Sequence, residues 1–98
     1  MQLSSLKDNN KLTVSVEGKI DTKTAPELEK YVLESLEGIS ELAIDFKKVT
    51  YVSSAGLRAL LQIQKQIKQQ GSMKILNVSE NVMDIFEMIG FSNIFTIE

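Results

Sequence analysis

The 98-residue chain contains no cysteine, no histidine and no tryptophan, and its only proline is Pro26. Each absence removes a kind of chemistry. Without cysteine, no disulfide staples the fold and no thiolate binds metal. Without histidine, neither a Ser-His-Asp nor a Cys-His site can be assembled. The commonest transition-metal ligand is missing with it, so no metal or cofactor is expected. No apolar run approaches the roughly 18 residues of a membrane span. Residues 1–20 lack the basic stretch and apolar run of a signal peptide. A cytoplasmic location without membrane attachment is therefore the expectation. Positive charge is also scarce: 11 Lys and Arg stand against 13 Asp and Glu, a formal net charge of −2. An acidic domain with no basic stripe binds nucleic acid poorly, because phosphate contacts dominate that affinity.

The residues present suffice for one core. Hydrophobic residues make up 43% of a chain that has the size of one small domain. Leu12, Val14 and Val16 alternate with Thr13, Ser15 and Glu17, the two-residue period of a half-buried strand, closed by Gly18. Gln2–Leu6 is a weaker edge-strand candidate, joined to the first by the polar link Lys7–Lys11 as an antiparallel hairpin. In "TAPELEKYVLESLEG", Thr24 and Glu27 have capping-box spacing and Pro26 suits a first turn. Ala25, Leu28, Val32 and Leu36 form the helical stripe, with Gly38 as its stop.

Leu42, Ile44 and Phe46 predict another strand, with Ala43 and Asp45 on its other side, and Val49–Val52 lead out of its end. Leu57, Leu60, Leu61, Ile63 and Ile67 predict a second helix ended by Gly71, with Arg58, Gln62, Lys65 and Gln69 opposite. Met73–Val78 is the next strand. Ser79 caps a third helix, with Val82, Ile85, Phe86 and Ile89 inward and Gly90 as its stop; Asn93–Glu98 could add a last strand. Alternating strands and helices imply parallel pairing. The expected fold class is α/β: one domain over residues 1–98, with a mixed sheet of four to five strands and three main helices largely on one face.

The stretch "TYVSSAGLRALLQ" (Thr50–Gln62) poses the functional question. Ligands and chemistry in α/β sheets collect beyond the carboxyl ends of strands. Ser53 and Ser54 stand there, at the start of a helix whose first N–H groups lack partners. One serine suffices as an N-cap, worth about 1 kcal/mol. The same place also suits a phosphate, which would meet those donors and add about −1.5 to −2 charge. Ala55 and Gly56 have no bulk to shield a hydroxyl. Gly56 costs about 1 kcal/mol of helix propensity relative to alanine, which implies either tight helix–sheet packing or the close approach of a partner. Asp21 either binds backbone donors in the loop before the first helix or joins a surface beside the serines. Arg58 is either solvated or faces an acidic partner.

"VTYVSSAGLRALL" resembles the signature of STAS domains of the anti-sigma factor antagonist group, and "VEGKIDTKTAPELE" resembles that family's other characteristic stretch, with Asp21 as its acidic residue. The order of elements agrees along essentially the whole chain. The resemblance implies partner switching. The unphosphorylated domain would bind an anti-sigma factor that is also a serine protein kinase, and so free a sigma factor. Phosphorylation would end the complex, and a serine phosphatase would restore it. Carried over on Gly56 and Leu57, the phosphoacceptor is Ser54, with Ser53 as the fallback and the expected cap. Many members have aspartate where this chain has Ser53. The implied partner-binding set is Asp21, Thr22, Ser53, Ser54, Ala55, Gly56 and Arg58.

Two rivals remain at this point. An enzyme would need a motif that is absent: there is no G-x-S-x-G elbow and no Walker phosphate loop. Asp45 lies inside a strand, and no acidic cluster surrounds it in sequence. A non-switching scaffold, or an accessory subunit of a transporter or stress-signalling complex, is the alternative that the resemblance leaves open. The Met83, Met88, Phe86, Phe91 and Phe95 cluster reads as core and its edge.

Overall fold

A computed structural model describes residues 1–91 and 93–98. Seven elements follow one another: β1 (Gln2–Asp8), β2 (Lys11–Ile20), α1 (Ala25–Leu33), β3 (Glu41–Val52), α2 (Ser54–Ile67), β4 (Ser72–Leu76) and α3 (Glu80–Ile89). The sheet order is β1-β2-β3-β4. β1 runs antiparallel to β2, while β2, β3 and β4 are parallel. The sheet is thus mixed and four-stranded, within the expected class.

Register explains how alternation becomes a core. Leu12 pairs with Leu42 and Leu42 with Met73; Val14 pairs with Ile44 and Ile44 with Ile75. These rows cross the sheet on one side, and every member is buried. Their neighbours Thr13, Ala43 and Lys74 form a row on the other side. The helices close the apolar side with Leu28 and Val32 of α1, Leu57, Leu60, Ile63 and Ile67 of α2, and Val82 and Phe86 of α3. Each such side chain contributes about 1.5–3 kcal/mol by leaving water. Phe86 links the third helix to the rest, with its ring centroid 6.2 Å from Phe46 and 5.9 Å from Phe95.

Several expectations need correction. The capping box does not form: Thr24 precedes α1 in a helical conformation and its side chain makes no cap hydrogen bond. The helix ends at Leu33, yet Leu36 is still buried, from the turn beyond. Gly18 does not close a strand. It lies within β2 at φ 105°, next to an irregularity in the pairing with β3. β3 continues unbroken to Val52. The hairpin turn is only Asn9 and Asn10, with Asn9 at φ 55°.

α2 ends at Ile67, so Gly71 is no helix stop. It passes so close to the Ser40 backbone that no Cβ would fit, and Ser72 N–H donates to the Ser40 carbonyl at 2.9 Å. Gln64, on the buried side of α2, donates through Nε2 to the Ile94 carbonyl at 3.1 Å. Ile89, expected inward, is 42% exposed, whereas Gly90 does stop α3 at φ 83°. Asn93–Glu98 forms no named strand but a single parallel bridge, Ile75 to Ile97, on β4. Among the described residues, no helix is long and apolar enough to cross a membrane.

Candidate functional site

The site lies where two adjacent parallel strands end. Ile20 and Val52 are partners at the carboxyl ends of β2 and β3. One residue on, the Ser53 N–H donates to the Ile20 carbonyl at 2.8 Å. The loop after β2 and the junction into α2 are therefore side by side, as sheet topology requires of successive parallel strands.

The two serines divide the work. Ser53 is extended, at φ −86° and ψ 173°, and its Oγ accepts from the Gly56 N–H at 3.2 Å. Its carbonyl accepts from the Leu57 N–H at 2.9 Å. Ser53 is thus the N-cap, and it is half-buried. Ser54 is the first residue of α2 and is exposed. Among the described residues its hydroxyl makes no hydrogen bond.

Gly56 explains the closeness of the helix start to the sheet. A Cβ there would stand 2.7 Å from the Ile20 carbonyl oxygen, 2.8 Å from Ile20 Cγ2 and 3.0 Å from Val52 Cγ1. The missing side chain lets α2 rest on the ends of β2 and β3. Gly56 itself is buried, so it positions its neighbours and offers no surface of its own. Of the two readings of this glycine, tight helix–sheet packing is the one the structure shows.

Asp21 ties the neighbouring loop. Its Oδ1 accepts from the Lys23 N–H at 3.0 Å and the Thr24 N–H at 3.1 Å. Thr24 Oγ1 accepts from the Asp21 N–H at 2.8 Å and directs its own proton to the Lys19 carbonyl at 2.8 Å, with Asp21 Oδ1 farther at 3.2 Å. Thr24 faces back into the loop, and this is why it does not cap α1. The Thr24 N–H does most to hold the Asp21 carboxyl below its ordinary pKa; desolvation, next in size, opposes it, and the Lys23 N–H, the Thr24 hydroxyl and the Lys23 charge add to the lowering. Both proposed roles of Asp21 are compatible here: it binds the loop donors, and it belongs to the segment beside the serine junction.

Thr22 and Arg58 are exposed, and Ala55 is half-buried. Together with Glu29 and Gln62 they line a shallow groove between α1 and α2. Six of the seven expected site residues thus lie on or beside one surface, with Gly56 beneath it. Sequence reasoning missed Ile20, whose carbonyl holds Ser53 and whose backbone excludes a side chain at position 56. An apolar residue two places beyond the supposed stop at Gly18 was the available signal. It also missed Glu29, whose helical spacing marked only a polar side. The first turn of α2 holds no acidic residue, whereas α1 has Glu27 and α3 has Glu80.

Residues 3–98 match the STAS domain, and the chain belongs to that family. It is 33% identical to the anti-sigma-B factor antagonist of Bacillus subtilis, over 92% of this chain and 84% of that protein. The crystal structure of an anti-sigma factor antagonist from Mycobacterium paratuberculosis superposes with a TM-score of 0.86 at 22% identity, covering 98% of this chain and 83% of that one. The phosphorylated form of the Bacillus cell fate determinant SpoIIAA superposes with a TM-score of 0.71 at 14% identity, over 99% and 89% of the two chains. At these identities the two structures speak for the fold alone.

Proposed function

We propose that this domain is an anti-sigma factor antagonist that works by partner switching in the cytoplasm. Unphosphorylated, it binds a cognate anti-sigma factor through the surface around Asp21, Thr22, Ser54, Ala55 and Arg58, and so frees the sigma factor. The anti-sigma factor is also a serine protein kinase. It transfers the γ-phosphoryl group of ATP to Ser54 Oγ: the new P–O bond forms as the bond to the β-phosphate breaks, ADP leaves, and the hydroxyl proton passes to base or solvent. A serine phosphatase hydrolyses the ester and resets the domain. The domain supplies the acceptor hydroxyl, and the chemistry belongs to its partners.

The observation that carries this proposal is the division between the serines. Ser53 already satisfies the helix start, so Ser54 is exposed and uncommitted. A phosphate on it leaves the cap in place. The relatives named anti-sigma factor antagonists support the same role. Release follows from charge. Phosphorylation takes the net charge from −2 to about −4. Like charges opposed at an interface cost several kcal/mol, and roughly 3 kcal/mol is more than a hundredfold in affinity.

Phosphosite mapping after incubation with the cognate kinase and ATP tests the assignment. One phosphate on Ser54 is expected. Ser54→Ala should remain bound and unlabelled. Labelling of Ser54→Ala to the same stoichiometry would overturn the assignment to Ser54.

A further inference from the structure

Ser54 and Arg58 are four residues apart on α2 and both are exposed, so their side chains stand one turn apart on the same stripe. Long side chains on a helix lean toward its N-terminus and cover the turn before their own Cα. For Arg58, that turn begins at Ser54. The order is also the favourable one, with the anionic position N-terminal to the cationic one. The geometry points to Arg58 as the intrahelical receptor of the phosphate on Ser54, an inference that rests on Ser54 being the phosphoacceptor.

Little competes for the guanidinium. Among the described residues, Arg58 is in neither of the two salt bridges, Lys11–Glu41 and Lys74–Glu98. The first turn of its own helix is free of carboxylates. Across the groove stands Glu29 of α1, a single carboxylate. A phosphoserine carries about −1.5 to −2 charge and three acceptor oxygens, which a planar guanidinium engages through two parallel hydrogen bonds. The loop after β2, beside this helix start, carries Asp21 and Lys23, and Lys19 pairs with Tyr51 at the adjoining strand ends.

The consequence concerns how the partner is released. Arg58 is the only charged residue among Ser54–Leu61 and lines the groove with Thr22 and Ala55. Once it folds back onto the phosphate, the partner surface gains negative charge and loses its cation in one event. Phosphorylation then acts by withdrawal as well as by repulsion.

The test installs phosphoserine at position 54 of the full chain by genetic encoding, so no kinase is needed. Phosphorus NMR follows the second ionisation of the phosphate in the otherwise unchanged chain, in Arg58→Gln, in Arg58→Lys and in Lys65→Gln. Arg58→Gln should raise that pKa by about 0.15–0.4 unit, and Arg58→Lys should raise it less. Lys65, on the same stripe but about 16 Å along the helix, lies beyond the screening length at physiological salt and should not matter. Equal pKa values with and without Arg58, or equal shifts from Arg58→Gln and Lys65→Gln, would overturn the inference. Kinase mapping on the unmodified chain reads the Ser54 assignment separately, so the two can fail independently.

Discussion

Two strand-to-helix junctions in this domain share one cap and differ in what comes after it. Leaving β3, Ser53 accepts from the Gly56 N–H; leaving β4, Ser79 accepts from the Val82 N–H; both distances are 3.2 Å. Both caps are extended serines. The next residue is Ser54 in one junction and Glu80 in the other. Glu80 gives the start of α3 the negative charge that a helix N-terminus favours. The start of α2 has no such charge in its first turn. At the third helical position, Val82 fills the core with its own side chain, while Gly56 has none and brings its helix onto the backbone of β2. The α3 junction is complete in itself. The α2 junction is held closely from below and has no acidic residue in its first turn.

The sharpest break of this comparison is Ser54→Asp, which gives α2 the acidic first residue that α3 already has. The melting temperature should hold or rise slightly. Binding to the anti-sigma factor, read by calorimetry, should weaken at least about a hundredfold. Unchanged binding would make the two junctions functionally alike.

Next in size is Gly56→Ala. Its Cβ meets a backbone oxygen that cannot swing aside, so about 1–3 kcal/mol of stability should be lost in urea denaturation. An unaltered midpoint would show that the sheet does not hold the helix start. Ser53→Ala and Ser79→Ala should each cost about 1 kcal/mol and should match one another, because the cap is the shared part. A large difference between them would mean that one serine does more than cap.

The smallest effect belongs to Asp21→Asn, in the loop beside the α2 junction. The folded pKa of Asp21 lies below the unfolded value, so the unfolded chain binds the proton more readily. Stability from this group is therefore complete above about pH 3.9 and is lost as pH falls through the lower folded value. The gap in urea midpoint between wild type and Asp21→Asn should be constant from pH 7 to pH 5 and shrink in acid. A gap that widens in acid would contradict the loop hydrogen bonds.

Much of this was legible in the chain. The alternation of Leu12, Val14 and Val16, the stripe of Leu57, Leu60, Ile63 and Ile67, and the Ser79 cap with the Gly90 stop all reappear in the structure. These are local properties: a period of two or 3.6 residues already states which side must leave water. The failures share a cause. Thr24 and Glu27 have the spacing of a capping box, but Asp21 and the Lys19 carbonyl claim the threonine first. Ile89 continues an apolar stripe, yet only Val82 and Phe86 of α3 are fully buried. Gly18 looked like an end because the bulge it occupies depends on a partner strand.

The sequence by itself determined the fold class, the three amphipathic helices and the place where two hydroxyls meet a helix start, because periodicity and turn chemistry act over a few residues. The sequence also favoured Ser53 as the cap and Ser54 as the free hydroxyl; what only tertiary structure decided is how the cap is held in place. That anchoring comes from Ile20, more than thirty residues earlier, whose carbonyl pins the Ser53 amide and whose backbone admits no side chain at position 56. A contact between strand ends so far apart in the chain has no local pattern to announce it.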